Sequence, residues 1–255
     1  AEGLGLHNNL LYQILAEEYL KLGKPEEAKL AIERLIGLNK NSTNYALAGQ
    51  IALNLSDTVL AEQYYQKSIN KEPNIPSLSA LSKIYSNKGD MELAGDYINK
   101  ALEIAPDQIP NLYQKAKILG SLTLVDSAKN IYQHIIILDS SQSEFHYELA
   151  EIYYEQYKYD SAKVFVEKSL RLNASDISAQ LLRARIQNRM TDYEESISSY
   201  KAILAQDSTY NLAQLELDNL QRKVAYLRRL DQERRALDSA RRNAPALIDR
   251  KGIDN

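Results

Sequence analysis

From residue 12 onward, apolar and polar positions follow a helical rather than a strand period. Tyr12, Leu15 and Tyr19 share one helix face, and so do Leu78, Leu81 and Tyr85, because residues three, four and seven apart lie on the same side of a 3.6-residue turn. Gly23 and Gly89 interrupt the pattern, and a second amphipathic run follows, such as Ala94, Ile98, Ala101 and Leu102. Asp57, Asp90 and Asp192 are placed to cap the second helices, and Pro25 suits the first turn of one. Pro73 and Pro106 end second helices, since proline disfavours helical backbone in the residue before it. The pattern therefore predicts helix–break–helix units and no strands.

The units repeat. Small residues recur at Ala28, Ala61, Ala94, Ala128, Ala162 and Ser196, with intervals of 33 or 34 residues. Twelve residues before each stands another: Ala16, Gly49, Ser82, Ala116, Ala150 and Ala184. Two antiparallel helices approach closely only where side chains are small, so the paired positions predict the crossing within each unit. Larger residues four after the second small position, Ile32, Tyr65, Ile98, Tyr132, Val166 and Tyr200, are expected to fill the space between units.

A unit of this length, with a small residue in each helix, a tyrosine late in the first (Tyr19, Tyr85, Tyr153) and a closing proline (Pro73, Pro106), resembles the tetratricopeptide repeat, or TPR. The resemblance implies an all-α, right-handed superhelical solenoid of about six helix–turn–helix repeats. They span residues 9–210 and start near residues 9, 42, 75, 109, 143 and 177, after a polar leader at 1–8. The unbroken phase predicts one continuous solenoid. The early aromatic of the first helix is kept at Tyr12 and Tyr45 but gives way to Leu78, Leu112, His146 and Gln180. The sixth unit departs furthest, with Ser196 for alanine and Gln187 for the late tyrosine, as expected before a specialised cap.

Residues 211–244 predict one long helix, basic after residue 221, followed by a tail at 245–255; Pro245 closes the run. Its stripe of Ala213, Leu217, Leu220, Val224 and Leu227 suits it to cover the sixth unit. Further along, the same face becomes Asp231, Arg234, Asp238 and Arg241, so packing should end near residue 230 and the rest should project. Asp218–Arg222, Asp231–Arg235 and Asp238–Arg242 are spaced for supporting i,i+4 ion pairs. A seam of Tyr226, Leu230, Leu237, Ala240 and Ala244 could meet another helix.

Composition narrows the function classes. The 255 residues contain no cysteine and only three histidines, which excludes disulfides, thiolate metal sites and cysteine nucleophiles. His7 falls in the leader, His134 reads as a surface residue and His146 as a substituted packing aromatic, so no metal or other cofactor is expected. No phosphate-binding, dinucleotide-binding or hydrolase motif occurs, and an enzyme is not expected. No run is apolar enough to span a membrane.

The resemblance places a partner in a concave groove lined by the first helices. The candidate lining residues are Lys83, Tyr113, Lys117, Tyr147, Glu151, Tyr154, Arg185 and Arg189. Their mix of tyrosine and alternating charge favours a protein or peptide ligand, because tyrosine offers large contact area with little rotamer entropy to lose. Cochaperones of this family grip a C-terminal carboxylate with lysine and asparagine one turn apart on a first helix. The corresponding positions here are Gln13 and Glu17, or Ser79 and Lys83, so that clamp is absent.

Charge is unevenly distributed along the chain. Residues 1–221 hold 21 Lys+Arg against 29 Asp+Glu, net −8, whereas residues 222–255 hold 10 against 5, net +5. The excess sits on Arg228, Arg229, Arg234, Arg235, Arg241 and Arg242, expected to dock an acidic protein or helix. Interspersed acids and the acidic body argue against nucleic acid as partner. The expectation is a non-enzymatic protein-interaction scaffold; the alternative is a regulatory nucleic-acid-binding or signalling module acting through the basic helix. The sequence opens without methionine, as export processing, methionine removal or trimming would each leave it, and its style resembles bacterial envelope TPR proteins. A periplasmic or envelope location is expected, with any lipid-bearing cysteine before Ala1, and a cytoplasmic one is the alternative.

Overall fold

A computed structural model describes the backbone of residues 2–243 and the side chains of residues 10–242. Among the described residues every regular element is an α-helix. The chain divides into two compact units, residues 1–141 and 142–255, where the unbroken phase had predicted a single continuous array. The division falls in the polar connection 139–142.

The first unit holds α1 (Glu2–Lys21), α2 (Pro25–Leu38), α3 (Ser42–Asn54), α4 (Thr58–Lys71), α5 (Ile75–Asn87), α6 (Met91–Ile104), α7 (Ile109–Ser121) and α8 (Val125–Leu138). The second holds α9 (Ser143–Glu155), α10 (Tyr159–Leu172), α11 (Ile177–Arg189), α12 (Tyr193–Gln206) and α13 (Asn211–Asn243). Within each unit, every helix packs on the next. This is an all-α helical-repeat solenoid fold.

The small positions lie at the helix crossings. Ala16, Ala28, Ala61, Ala94, Ala150, Ala162, Ala184 and Ser196 are wholly buried. At two crossings the paired positions touch directly: Ser82 Oγ donates to the Ala94 carbonyl at 2.8 Å and Ser196 Oγ to that of Ala184 at 2.7 Å. At a third, any Cβ on Gly49 would lie 2.7 Å from the Tyr65 ring, closer than packed carbons approach. The larger residues four positions on, from Ile32 to Tyr200, are buried. His146 is buried and stacks on Phe165 at 6.3 Å.

Turn chemistry agrees in part. The Asp57 and Asp90 carboxylates accept from the Leu60 and Leu93 amides, and Pro25 opens α2. Asp192 occupies the N-cap of α12 but makes no capping bond; its carboxylate faces Lys163 at 3.7 Å instead. Gly23 and Gly89 have φ of 68° and 85°, and Ser56, Thr123, Tyr157 and Thr191 take the same left-handed conformation at the same register. That conformation turns the chain from first to second helix and does not require glycine, only favours it.

The N-terminal boundary also differs from expectation. α1 runs back to Glu2, because the stretch before residue 9 contains no proline and Leu4 and Leu6 are good helix formers. The His7 side chain, Ala244 and the 245–255 tail lie outside the described residues.

Candidate functional site

In the second unit, α9, α11 and α13 occupy equivalent positions, and a step of 34 residues links their faces: Glu151 to Arg185 to Asn219, and Glu155 to Arg189 to Lys223. A cleft of about 280 Å³ opens on α11 and α13, with Tyr154 from α9 and Tyr200 from α12 among its lining residues.

An ion pair built into the fold forms one side of the cleft. Arg185 donates from Nη2 to Glu216 Oε1 at 2.6 Å and from Nε to both carboxylate oxygens at 3.1 Å. The Tyr200 hydroxyl donates to Glu216 Oε2 at 2.8 Å. Burial, together with this bond to a carboxylate, pushes the Tyr200 phenol well above its ordinary pKa. Glu216 holds Arg185 above the ordinary arginine value. Fork geometry of this kind is strong and directional, so α11, α12 and α13 are clamped together under the cleft and Arg185 is already engaged.

The remaining cations are held more loosely. Arg189 Nε donates to the Tyr154 hydroxyl at 3.4 Å. Lys223 Nζ lies 3.3 Å from Asn188 Oδ1 and 4.7 Å above the Tyr193 ring. Upstream on α9 the Tyr147 hydroxyl donates to Glu151 Oε1 at 2.7 Å, and burial with that bond raises its pKa strongly. Tyr147 and Tyr154 also pack against the buried cluster of Ala150, Ala162 and Val166, so both tyrosines serve the core as well as the surface.

A family model described as tetratricopeptide repeat matches residues 11–42, 75–108 and 143–176, the first, third and fifth helix pairs. Three of the helix pairs thus match the tetratricopeptide repeat. A TPR repeat-containing protein of Methanocaldococcus jannaschii is 28% identical over 213 residues, covering 78% of this chain and 37% of that protein. The chain thus spans little more than a third of that relative's length. The solved structure of Pseudomonas aeruginosa pilF matches with a TM-score of 0.71 at 16% identity, covering 86% of this chain and 99% of that one. YrrB, described as a TPR protein with an unusual peptide-binding site, matches with a TM-score of 0.58 at 16% identity, covering 66% and 88%.

The other candidate residues are not among those that line the cleft. In the first unit Lys83 is exposed on α5. On α7 the Lys117 ammonium sits 5.3 Å from the Tyr113 ring, which meets Tyr132 edge-on at 6.0 Å. The first-helix faces there are stitched by Ser79 to Asn111 at 2.7 Å and Gln114 to Ser82 at 2.8 Å.

The basic helix is less free than its sequence implied. Burial on α13 ends at Val224, and Leu227 is 39% exposed, so packing stops well before residue 230. α12 begins at Tyr193, and its start faces Val224 and Leu227 and, beyond them, the polar residues Arg228 and Asp231 across a cleft. Arg228 does not project but pairs with Glu194 on α12. Arg229 pairs with Glu233 at 2.9 Å and Arg235 with Asp231 at 2.8 Å. Of the three expected i,i+4 pairs only Asp231–Arg235 forms between side chains. Arg222 and Arg242 instead reach the backbone carbonyls of Asp218 and Asp238. Arg234 and Arg241 are exposed.

Glu216, Asn219 and Lys223 were not among the sequence candidates. Reading α13 only as a cap hid them. Continuing the 34-residue step past the sixth repeat would have found Asn219 and Lys223.

Proposed function

We propose that this chain is a non-enzymatic interaction scaffold that holds a protein or peptide segment against the first-helix face of its second unit. TPR arrays in general mediate protein–protein contact, and YrrB, similar in fold, is described as having a peptide-binding site. The observation that carries the reading is the cleft on α11 and α13. It joins tyrosine rings, side-chain amides and two loosely held cations on one face, a mixture suited to a chain segment carrying both backbone amides and side chains. Membership of a bacterial envelope complex, in the periplasm or on a lipid anchor, is part of the same proposal and rests on sequence style alone.

Photocrosslinking tests it. A photoreactive residue at Asn188 in the full chain should capture one defined protein in cells of the source organism, while the same residue at Val164, exposed on the second helix α10, should not. Equal capture at both positions, or none at Asn188, would overturn the reading. Fractionation of the same cells decides the location. The nucleic-acid alternative is disfavoured, because Arg228, Arg229 and Arg235 already have carboxylate partners.

A further inference from the structure

Beyond Val224, α13 carries a second apolar face that its own packing does not use. Tyr226, Leu230 and Leu237 are 61%, 42% and 62% exposed. They fall on one side of the helix, and Glu233 and Ala240 complete that side in alternating steps of four and three. Such spacing is the seam of a coiled coil. From Arg229 onward the hydrogen bonds and ion pairs stay within α13 itself, so no other described element covers the seam.

Charge along the edges of the seam decides what fits it. Arg234 and Arg241, seven residues apart, border one edge, exposed and without a carboxylate partner among the described residues. Arg229 borders the other edge and is tied to Glu233 at 2.9 Å. In a coiled coil the residues beside one seam face those beside the other. Two copies of α13 would therefore set Arg229 against Arg234 if parallel, and Arg234 against Arg241 if antiparallel. Such juxtaposed like charges select against that pairing.

We infer that residues 226–243 dock an acidic amphipathic helix of another protein, with its apolar stripe on Tyr226, Leu230 and Leu237 and its flanking carboxylates on Arg234 and Arg241. Glu233 is the one charge within the seam; a lysine opposite it would fix the register, as single polar seam positions do. The segment is about 27 Å long at 1.5 Å per residue, room for two to three heptads. Leu217, Leu220 and Val224 anchor the helix in the core of the second unit, so the partner's helix alone has to be ordered on binding. A membrane surface fits less well, because it needs a broad, unbroken apolar face and this one is a narrow row interrupted by Glu233. The inference does not depend on the groove reading.

The test titrates fluorescein-labelled peptides with the full chain and reads anisotropy. One peptide has three heptads with leucine in its seam, lysine opposite Glu233 and glutamate along both edges; the other has lysine along both edges. The glutamate peptide should bind about tenfold more tightly at low salt, an advantage that narrows as salt screens exposed charges. Leu230→Ser and Leu237→Ser should each weaken it about tenfold, the scale for losing one buried leucine contact. Circular dichroism should not change, since both side chains are exposed. Arg234→Glu combined with Arg241→Glu should reverse the preference to the lysine peptide, and Arg189→Gln in the cleft should alter neither affinity. Equal binding of the two peptides, binding of neither, or no reversal in the doubly substituted chain overturns the inference. So does loss of binding in Arg189→Gln, which would put the peptide in the cleft. Dimerisation of the chain alone in sedimentation, abolished by Leu237→Ser, would make the seam a self-association surface and overturn it too. Displacement of the glutamate peptide by vesicles of anionic phospholipid would make it a membrane surface, with the same consequence.

Discussion

The α3–α4 crossing in the first unit and the α11–α12 crossing in the second meet the same demand with opposite chemistry. In the first, Gly49 leaves room for the ring of Tyr65. In the second, Ala184 receives a hydrogen bond from Ser196, Gln187 one from Ser199 at 2.8 Å, and Tyr200 binds Glu216. One crossing depends on shape and the other on a polar network that continues into the cleft. Shape-dependent contacts fail when volume is added; polar networks fail when one partner is removed. The same substitution should therefore have different consequences at equivalent positions.

The largest effect is expected at the shape-dependent crossing. Gly49→Leu should cost about 3 kcal/mol, because the ring atoms a Cβ would strike belong to a buried, rigid side chain with no alternative place to go. Urea denaturation followed by circular dichroism measures it. A loss below ~1 kcal/mol would show that Tyr65 can move and that the crossing does not depend on the glycine.

The tyrosine hydroxyls separate the two crossings next. Tyr200→Phe removes the hydroxyl donor to Glu216 and should cost about 1.5 kcal/mol, the scale for a hydrogen bond to a charged partner. Tyr65→Phe, at the equivalent position, should stay within about 0.5 kcal/mol, since no partner is present for the Tyr65 hydroxyl among the described residues. Equal losses in the two variants would erase the distinction between them.

That distinction was only half legible in the sequence. The crossings themselves were, because the spacing of alanine, glycine and serine is set by helix geometry and tolerates little variation. The polar side was not. Ser196 and Gln187 read as departures from a pattern, whereas the structure uses Ser196 for a hydrogen bond across the crossing and Gln187 for one to Ser199. Arg185 read as a groove ligand because its partner Glu216 lies in α13, beyond the last recognised repeat. Asp192 has the composition of a cap without acting as one, and periodicity within α13 does not contain the end of burial at Val224.

Alkaline titration sharpens the contrast further. Burial raises the Tyr65 phenol to about 12, and the Tyr200 phenol is raised by burial and by Glu216. A phenol whose folded pKa exceeds its unfolded value of ~10 contributes stability that is intact below pH 10 and is lost as pH rises through the folded value. Tyr65→Phe should thus gain up to ~1 kcal/mol relative to the parent chain between pH 8 and pH 11. Tyr200→Phe should gain equally, because both folded values lie above pH 11, so the gap of about 1.5 kcal/mol between the variants should persist. Widening of that gap at pH 11 would mean that the Tyr200 phenol already ionises in the folded protein.

The smallest expected effect lies in the turns that lead into these crossings. Ser56 precedes α4 with φ of 61° and Thr191 precedes α12 with φ of 67°. Left-handed backbone costs an L-residue about 1–2 kcal/mol, and a β-branched side chain tolerates it least. Glycine relieves that strain but gives back roughly 0.5–1 kcal/mol through the greater freedom of its unfolded chain. The backbone bonds of the turn, such as Thr191 N to the Asn188 carbonyl at 3.2 Å, do not involve the side chain and should survive replacement. Thr191→Gly should therefore stabilise the protein by about 0.5 kcal/mol and Ser56→Gly by less, in the same urea experiment. If Ser56→Gly gains as much as Thr191→Gly, the β-branch carries no extra strain. The difference between the two crossings then resides wholly in their side-chain contacts and not in the turns that deliver them.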